Sequence, residues 1–445
     1  MLLLKAMAAP TRTSVSWHAL GGDSLQVAGN DEPTVWSRLT SHDRSLATDS
    51  LTVLRSLASQ GPVTFASSML SVLRAPLLDD VPSHVESLAL DASSVDIEVR
   101  RMAWDMLRMF FVEQGEVNLT EWHARACGAF LDSDASTAAR YLARDVPSLR
   151  SHAQPELTSP FWPAIATLAA VGLTQSAADV LGLHSSWRHA DGPSDALEAV
   201  ALLLRQRPRD DALPNAKAQW TNEARRLLDA TDVWATCRHS SDVGGLQILL
   251  LVLAGDDATL SSVTGTWVEL LIARIVHARS PARSLPSRLQ LRQLAESCVA
   301  EKPPSEEDST LALAYELLVC CCDNDAPGAV RACSHDESLG PWFLAHALEM
   351  LPSGSDHLPN LGCDQREYYR LQYACALLPH IATRPVALRY LAMCPTYGPC
   401  VLDAVVERLG SNGGDGEHLD VLPTILLAEN LGLKRASAAA TSRLM

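Results

Sequence analysis

The sequence predicts an all-α protein: an irregular α-solenoid of stacked antiparallel helical hairpins, headed by a short N-terminal β-hairpin segment. Three observations predict it. Nearly every periodic stretch has helical spacing, the stretches are separated by short breakers rich in Pro, Gly, Ser and Asp, and period-two alternation is confined to the first forty residues. Helices of about 10–15 residues joined by short connections lie antiparallel to their neighbours, as in bundles and solenoids.

The bulk numbers bound the alternatives. A chain of 445 residues with 47% hydrophobic content has room for a large core, in two or three domains or one elongated array. No run approaches the ~18 apolar residues of a membrane span; the most apolar, "LQILLLVLAG" at 246–255, is half that length and reads as a buried helix. The opening "MLLLKAMAAP" is interrupted by Lys5 and lacks a preceding basic segment, which is not the form of a secretory signal; its acid-free stretch before Asp23 has only a thin transit-peptide character. The eleven Cys are scattered, mostly within apolar runs, and form neither a zinc ribbon nor a disulfide framework. A reducing compartment, cytosol or nucleus, fits them. A formal charge of −16 and the absence of a Lys/Arg run oppose nucleic acid and anionic lipid, leaving a protein partner as the expectation.

Along the chain the first segment, 1–40, differs from the rest. In "TSVSWHALGGDSLQVAGNDEP" (13–33), Val15 and Trp17 stand at spacing two, Gly21 and Gly22 supply a permissive turn, and Leu25 and Val27 stand at spacing two again. A two-stranded hairpin alone is marginal in water, so this one needs a sheet from elsewhere. The segment 41–150 reads as helices. In "VRRMAWDMLRMFFVE" (99–113), Val99, Met102, Ala103, Met106 and Phe110 fall on one stripe.

The segment 151–445 reads as the helical solenoid. "FWPAIATLAAVGLTQSAADVLGLHSSW" (161–187) is a helical hairpin: Ser159 is the expected cap, Pro160 and Pro163 sit in the first turn, and Gly172 breaks the helix. Ala169, Ala170, Ala177 and Ala178 let the two backbones approach. "WVELLIARIV" (267–276), "LALAYELLVCCC" (311–322), "WFLAHALEML" (342–351) and "VLDAVVERL" (401–409) continue the helical pattern, with breakers such as "EKPPSEED" (301–308) and "GSNGGDGEH" (410–418) between them.

No catalytic constellation emerges. Phosphate-loop, nucleophile-elbow and H-E-x-x-H patterns are missing, and the Gly-rich 410–418 has no Lys and follows no strand. The acid pairs Asp79–Asp80, Asp210–Asp211 and Asp256–Asp257 are dispersed and read as solvated turns. Cys320–Cys322 with Cys333 and His335 is the most tempting cluster, but adjacent helical residues point about 100° apart, so three in a row cannot all ligate one ion. His346 sits on an apolar stripe and reads as a core histidine with a backbone partner; Asn118 heads an N-L-T sequon that carries no weight without a secretory signal. No cofactor and no metal are expected, and the chain reads as a non-enzyme.

The densest run of aromatics, Cys and Pro, "REYYRLQYACALLPHIATRPVALRYLAMCPTYGPCVLDAVVERL" (366–409), resembles the crown-and-trunk region of the eighty-five-kilodalton nucleoporin family, a component of the Y-shaped scaffold complex of the nuclear pore. Its pieces are Arg366–Glu367 before aromatics, "QYACALL", "VALRYLAMCP", Gly398 and "ERL"; upstream, "FWPAIATLAAVGLTQSAADVLGLH", "LLLVLAGDD", "TWVELLIARIV" and "PWFLAHALEML" follow in the family's order. "SVSWHALGGDSLQV" is similar to its N-terminal β segment. The resemblance implies a scaffold at the nuclear envelope, acting in pore assembly and transport of protein and mRNA. It implies a folded-back solenoid of the ancestral coatomer-element type whose segment 1–40 completes an open WD-repeat β-propeller partner, with Val15, Trp17, Leu25 and Val27 as the partner-binding residues, and other scaffold nucleoporins as further partners without direct nucleic-acid or membrane contact. Arg384–Pro385 stand where the family carries an aromatic, and the sequence stops at Met445, before the family's tail helices that join the hub of the Y. The competing readings are a generic TPR-like or vesicle-coat adaptor, which has no use for a hairpin, and an all-helical metal-dependent lyase, which needs clustered acids.

Overall fold

Tight corners are written into the sequence as a left-handed residue followed by a helix cap, and they set the architecture. The computed structural model describes residues 15–16, 26–27, 41–73, 92–113, 118–131, 137–188, 193–208, 214–230, 234, 237, 240–277, 287–305, 308–336, 338–352, 356–358, 361–378 and 383–411. The described chain is all-α apart from two pairs of two-residue strands, the first being β1 (Val15–Ser16) with β2 (Gln26–Val27). Its contacts divide into two compact units, Arg74–Ser338 and the chain's two ends, Met1–Leu73 with Leu339–Met445. The end unit begins with α1 (Ser41–Val72), bent where Gly61 takes a positive φ of 77° ahead of Pro62.

Within the unit 74–338, α2 (Ala92–Leu107) passes into a π-type turn, Arg108–Val112. The expected stripe is real: Val99, Met102, Ala103, Met106 and Phe110 are all at most 3% exposed. Asn118, the head of the N-L-T sequence, caps α3 (Leu119–Ala126): its Oδ1 accepts the Glu121 N–H at 3.1 Å. Next come α4 (Thr137–Arg140) and α5 (Val146–Leu149), joined through another π-type turn, Tyr141–Asp145.

The hairpin read from the sequence is formed by α6 (Phe161–Ala170) and α7 (Thr174–Leu181), with Ala169, Ala170, Ala177 and Ala178 buried at its bend. Its corner is a Schellman turn: Leu173 N–H reaches Leu168 O at 2.8 Å, Gly172 N–H reaches Ala169 O at 3.1 Å, and Gly172 has φ 85°. One detail differs. Ser159 does not cap α6; Pro160 occupies the cap position with no side-chain bond, because the preceding turn brings Thr158 O to the Phe161 N–H at 3.2 Å and Pro160 O to the Ala164 N–H at 2.9 Å.

After α8 (Asp195–Arg205) and α9 (Pro214–Asp229), the apolar run forms α10 (Ser240–Leu253), with Leu246, Leu249, Leu250, Val252 and Leu253 fully buried. The corner recurs at its end: Gly255 (φ 71°) is the left-handed residue, and Asp256 caps α11 (Asp257–Val263), accepting Thr259 N–H at 3.0 Å. The two helices meet at 115°, and no single helix among the described residues is long and apolar enough to cross a bilayer. The pair Asp256–Asp257 is thus more than a solvated turn, since Asp257 also pairs with Arg274 at 2.9 Å.

Then follow α12 (Trp267–Val276), α13 (Arg288–Glu301), α14 (Ser309–Asp323) and α15 (Ala326–His335). Between the last two the same corner is built without glycine: Asn324 has φ 56°, and Asp325 caps α15 by accepting Gly328 N–H at 2.9 Å.

The end unit closes around an aromatic core. Here α16 (Gly340–Ala347) packs on α17 (Gln365–Leu377), which packs on α18 (Arg384–Ala392), followed by α19 (Gly398–Ser411). A second two-residue pair, β3 (His357–Leu358) with β4 (Cys363–Asp364), leads into α17, and Asp364 caps that helix by accepting Glu367 N–H at 2.7 Å. The Gly-rich 412–418, Asp79–Asp80 and Asp210–Asp211 lie outside the described residues.

Two adjacent glycines of α10 give a stability test. A Cβ on Gly245 would lie 2.1 Å from Trp162 Cδ2, whereas one on Gly244 would meet nothing within 4 Å. Gly245→Ala is expected to cost about 1–3 kcal/mol through overpacking, and Gly244→Ala to be neutral or stabilising by roughly 0.5–1 kcal/mol through helix propensity. Denaturant midpoints of the two variants measure the contrast.

Candidate partner-binding segment and its anchorage

The expected partner-binding residues fall in a part of the chain described at only four positions. The backbone of Val15–Ser16 pairs antiparallel with Gln26–Val27, Val15 opposite Val27 and Ser16 opposite Gln26. Trp17 and Leu25 lie outside the described residues, so the structure does not bring the four side chains together or apart.

What is described is α1, the element that follows that segment in sequence. The first turn of α1 follows residue 40, and α1 buries Leu46, Ala47, Leu51 and Leu54 before its bend and Phe65, Ala66 and Met69 after it, with Leu73 buried just past its end. Ser50, fully buried, accepts the indole N–H of Trp342 at 2.9 Å, tying α1 to α16 across 292 positions of sequence. Trp342 in turn stacks obliquely on His346, with centroids 4.9 Å apart. His346 Nδ1–H donates to Trp342 O at 2.7 Å, so Nε2 is the lone-pair nitrogen and accepts the Tyr390 hydroxyl at 2.8 Å. Tyr373 and Tyr390 close the cluster edge-on, 5.1 Å apart. The expected core histidine is found with its backbone partner, and it has the phenol besides.

Sequence reasoning missed the buried carboxylates. Glu269 is 1% exposed; one oxygen accepts Gly265 and Thr266 N–H, the other Ala138 N–H at 2.7 Å. Glu367 is 3% exposed and accepts both Thr396 and Tyr397 N–H at 2.7 Å. Glu349, with a side chain 6% exposed, faces Arg366 at 3.7 Å and is bonded to Arg370. Thr266-x-x-Glu269 is a capping-box signature ahead of an apolar run and was findable. Nothing in the sequence announced the long-range partners.

Titratable groups in these cores are turned away from chemistry. Burial pushes His346 down to about 3, and His123 and His277 down to about 4, from an ordinary 6.5. Burial also pushes the thiols of Cys127 and Cys394 up to about 12, the wrong direction for a nucleophile. His184 has the opposite tautomer from His346: its Nδ1 accepts Ser186 N–H at 3.1 Å, leaving Nε2 facing Asp242 Oδ1 at 3.4 Å. No group of three or more His, Cys, Asp or Glu among the described residues is placed to hold a metal ion. Cys320, Cys321 and Cys322 stand on consecutive positions of α14, with Cys321 fully buried.

Comparison with known proteins adds the relationship. The chain matches the family described as Nup85 Nucleoporin over residues 57–416. It is 25% identical over 371 residues to nuclear pore complex protein NUP85 of Arabidopsis thaliana, covering 76% of this chain and 49% of that protein. It is 26% identical over 205 residues to nuclear pore complex protein Nup85 of Homo sapiens, covering 43% of this chain and 28% of that one, and 23% identical over 339 residues to the Rattus norvegicus protein, covering 71% and 47%. The chain therefore spans about half the length, or less, of the curated relatives it matches.

The buried histidines predict how stability depends on pH. Each has a folded pKa below its unfolded value, so the unfolded chain takes up protons first, and stability falls as pH drops from 6.5 toward 4. Each is expected to contribute on the order of 2 kcal/mol of that loss. His346→Gln should flatten the slope of unfolding free energy against pH over this window relative to the unmodified chain, as read by urea titrations at successive pH values.

Proposed function

The chain belongs to the Nup85 nucleoporin family, and from that membership we propose that it is a structural scaffold subunit of the Y-shaped subcomplex of the nuclear pore, supporting pore assembly and transport of protein and mRNA. The observation that carries the proposal is the family match over 57–416, which takes in most of the described helices of both compact units. In this reading the stacked helical hairpins form an irregular solenoid, and the protein performs no catalysis. The way its histidines, thiols and buried carboxylates are committed to packing supports that assignment.

Its specific partner is proposed to be a WD-repeat β-propeller nucleoporin with an open blade position. An open propeller exposes strand edges, and a donated hairpin satisfies their N–H and C=O groups. Segment 1–40 is the proposed donor, with Val15, Trp17, Leu25 and Val27 filling inter-blade pockets. Support comes from the period-two pattern around Gly21–Gly22 and from the backbone pairing of Val15 with Val27. The segment lies outside the family match, which starts at residue 57.

Co-expression with WD-repeat nucleoporins tests the assignment. The full chain is expected to retain a propeller through size-exclusion chromatography, and a chain lacking residues 1–40 to lose it. Trp17→Asp should weaken the complex at least tenfold, the cost of forcing a charge into a buried anchor pocket, with helix content by circular dichroism unchanged. Equal binding by the truncated chain would sink blade donation and favour a generic helical adaptor.

A further inference from the structure

The backbone register of the N-terminal strand pair decides something that the sequence leaves open. In an antiparallel pair, residues directly opposite one another lie on the same side of the ribbon, and successive residues of one strand lie on opposite sides. Val15 stands opposite Val27, and Ser16 opposite Gln26. At the described positions one side of the ribbon is therefore Val15 with Val27, and the other is Ser16 with Gln26. A register shifted by one residue would have set Val15 opposite Gln26 and mixed the two sides.

The flanking sequence carries the same division. By spacing two, Trp17 goes with Val15 and Leu25 with Val27, while Ser14 goes with Ser16 and Ser24 with Gln26. Ala28 is the one apolar residue that spacing assigns to the polar side, and it is small. Apolar side chains gain by leaving water, whereas a Ser or Gln side chain taken out of water needs a hydrogen-bond partner to offset the loss. A ribbon divided in this way fits a surface that buries only one of its sides.

The blades that flank an open propeller position offer two walls. We propose that the ribbon lies against one of these walls only, with Val15 and Val27 turned to it and Ser16 and Gln26 turned to water. Pairing of the ribbon's edge with a partner strand is compatible with this, because ladder hydrogen bonds run in the plane of a sheet and leave its two sides free. The inference rests on the reading of segment 1–40 as the donor to a WD-repeat propeller, and it adds the side by which the donor is held.

The test compares two double variants of the full chain that add the same charge to opposite sides of the ribbon, with affinity for the purified propeller subunit read by isothermal titration calorimetry. Ser16→Lys with Gln26→Lys should stay within about twofold of the unmodified chain, because a lysine that faces water is tolerated. Val15→Lys with Val27→Lys should lose about tenfold or more, because it forces two charges onto an apolar wall. Should the second variant express poorly, Val15→Ser with Val27→Ser replaces it with the same expected ranking. Equal losses by the two variants, or a larger loss by the first, would mean that the polar side is covered as well and would overturn docking on one wall while leaving donation intact. No loss by either overturns it too. Donation itself then fails only where a chain lacking residues 1–40 also binds as well as the full chain.

Discussion

Joining helices through short corners brings helix termini inside, and every buried N–H and C=O there must find a partner. This requirement shapes the chain more than any single apolar contact. At three corners the solution is a left-handed residue, Gly172, Gly255 or Asn324, whose turn returns amide protons to the last carbonyls. At the second and third, the next residue is an aspartate that caps the following helix. Elsewhere buried carboxylates do this work: Glu269 accepts amides from two elements, and Glu367 holds the Thr396 and Tyr397 amides ahead of α19. A buried carboxylate that accepts several N–H bonds satisfies them without water, which suits a permanent joint.

Much of the fold was legible because these signals are local. "AVGLT", "LAGDD" and "DNDAP" each hold the left-handed residue and the start of the next helix within five letters, and the stripe Val99 to Phe110 shows its period without reference to anything distant. The Ser159 cap was misplaced by one residue because a Thr158 turn competes for the same amide. What could not be read is long-range. Nothing near Ser50 announces Trp342, and nothing near Ala138 announces Glu269, since a hydrogen bond spanning 292 or 131 positions leaves no period in the sequence. Val15, Trp17, Leu25 and Val27 stand out by alternation, which marks a hairpin, while the partner-binding role came from the family resemblance.

The histidines show how far packing overrides chemistry. His346 lies among Trp342, Tyr373 and Tyr390 with both ring nitrogens bonded, and its tautomer is fixed by a carbonyl on one side and a phenol on the other. A catalytic imidazole must exchange a proton with something that comes and goes. Here both sites are occupied by permanent neighbours, and burial opposes the charged form. The cysteines tell the same story in the other direction. Burial raises Cys127, Cys321, Cys333 and Cys394, so they fill space as small hydrophobes rather than offer thiolates.

The placement of α1 has a mechanical consequence. The segment 1–40 runs in sequence into the N-terminal end of α1, and α1 belongs to the same compact unit as the helices after Leu339. Load applied at the head of the chain is therefore first resisted by the side chains of Leu46, Leu51 and Leu54 and by the Ser50–Trp342 bond. These contacts precede the bend at Gly61, where the backbone already departs from helical geometry and would yield most easily. An anchor placed after the bend would transmit tension through that weak point. Ser50 and its apolar neighbours lie ahead of that break, so α1 is already held to its own unit on the N-terminal side of Gly61.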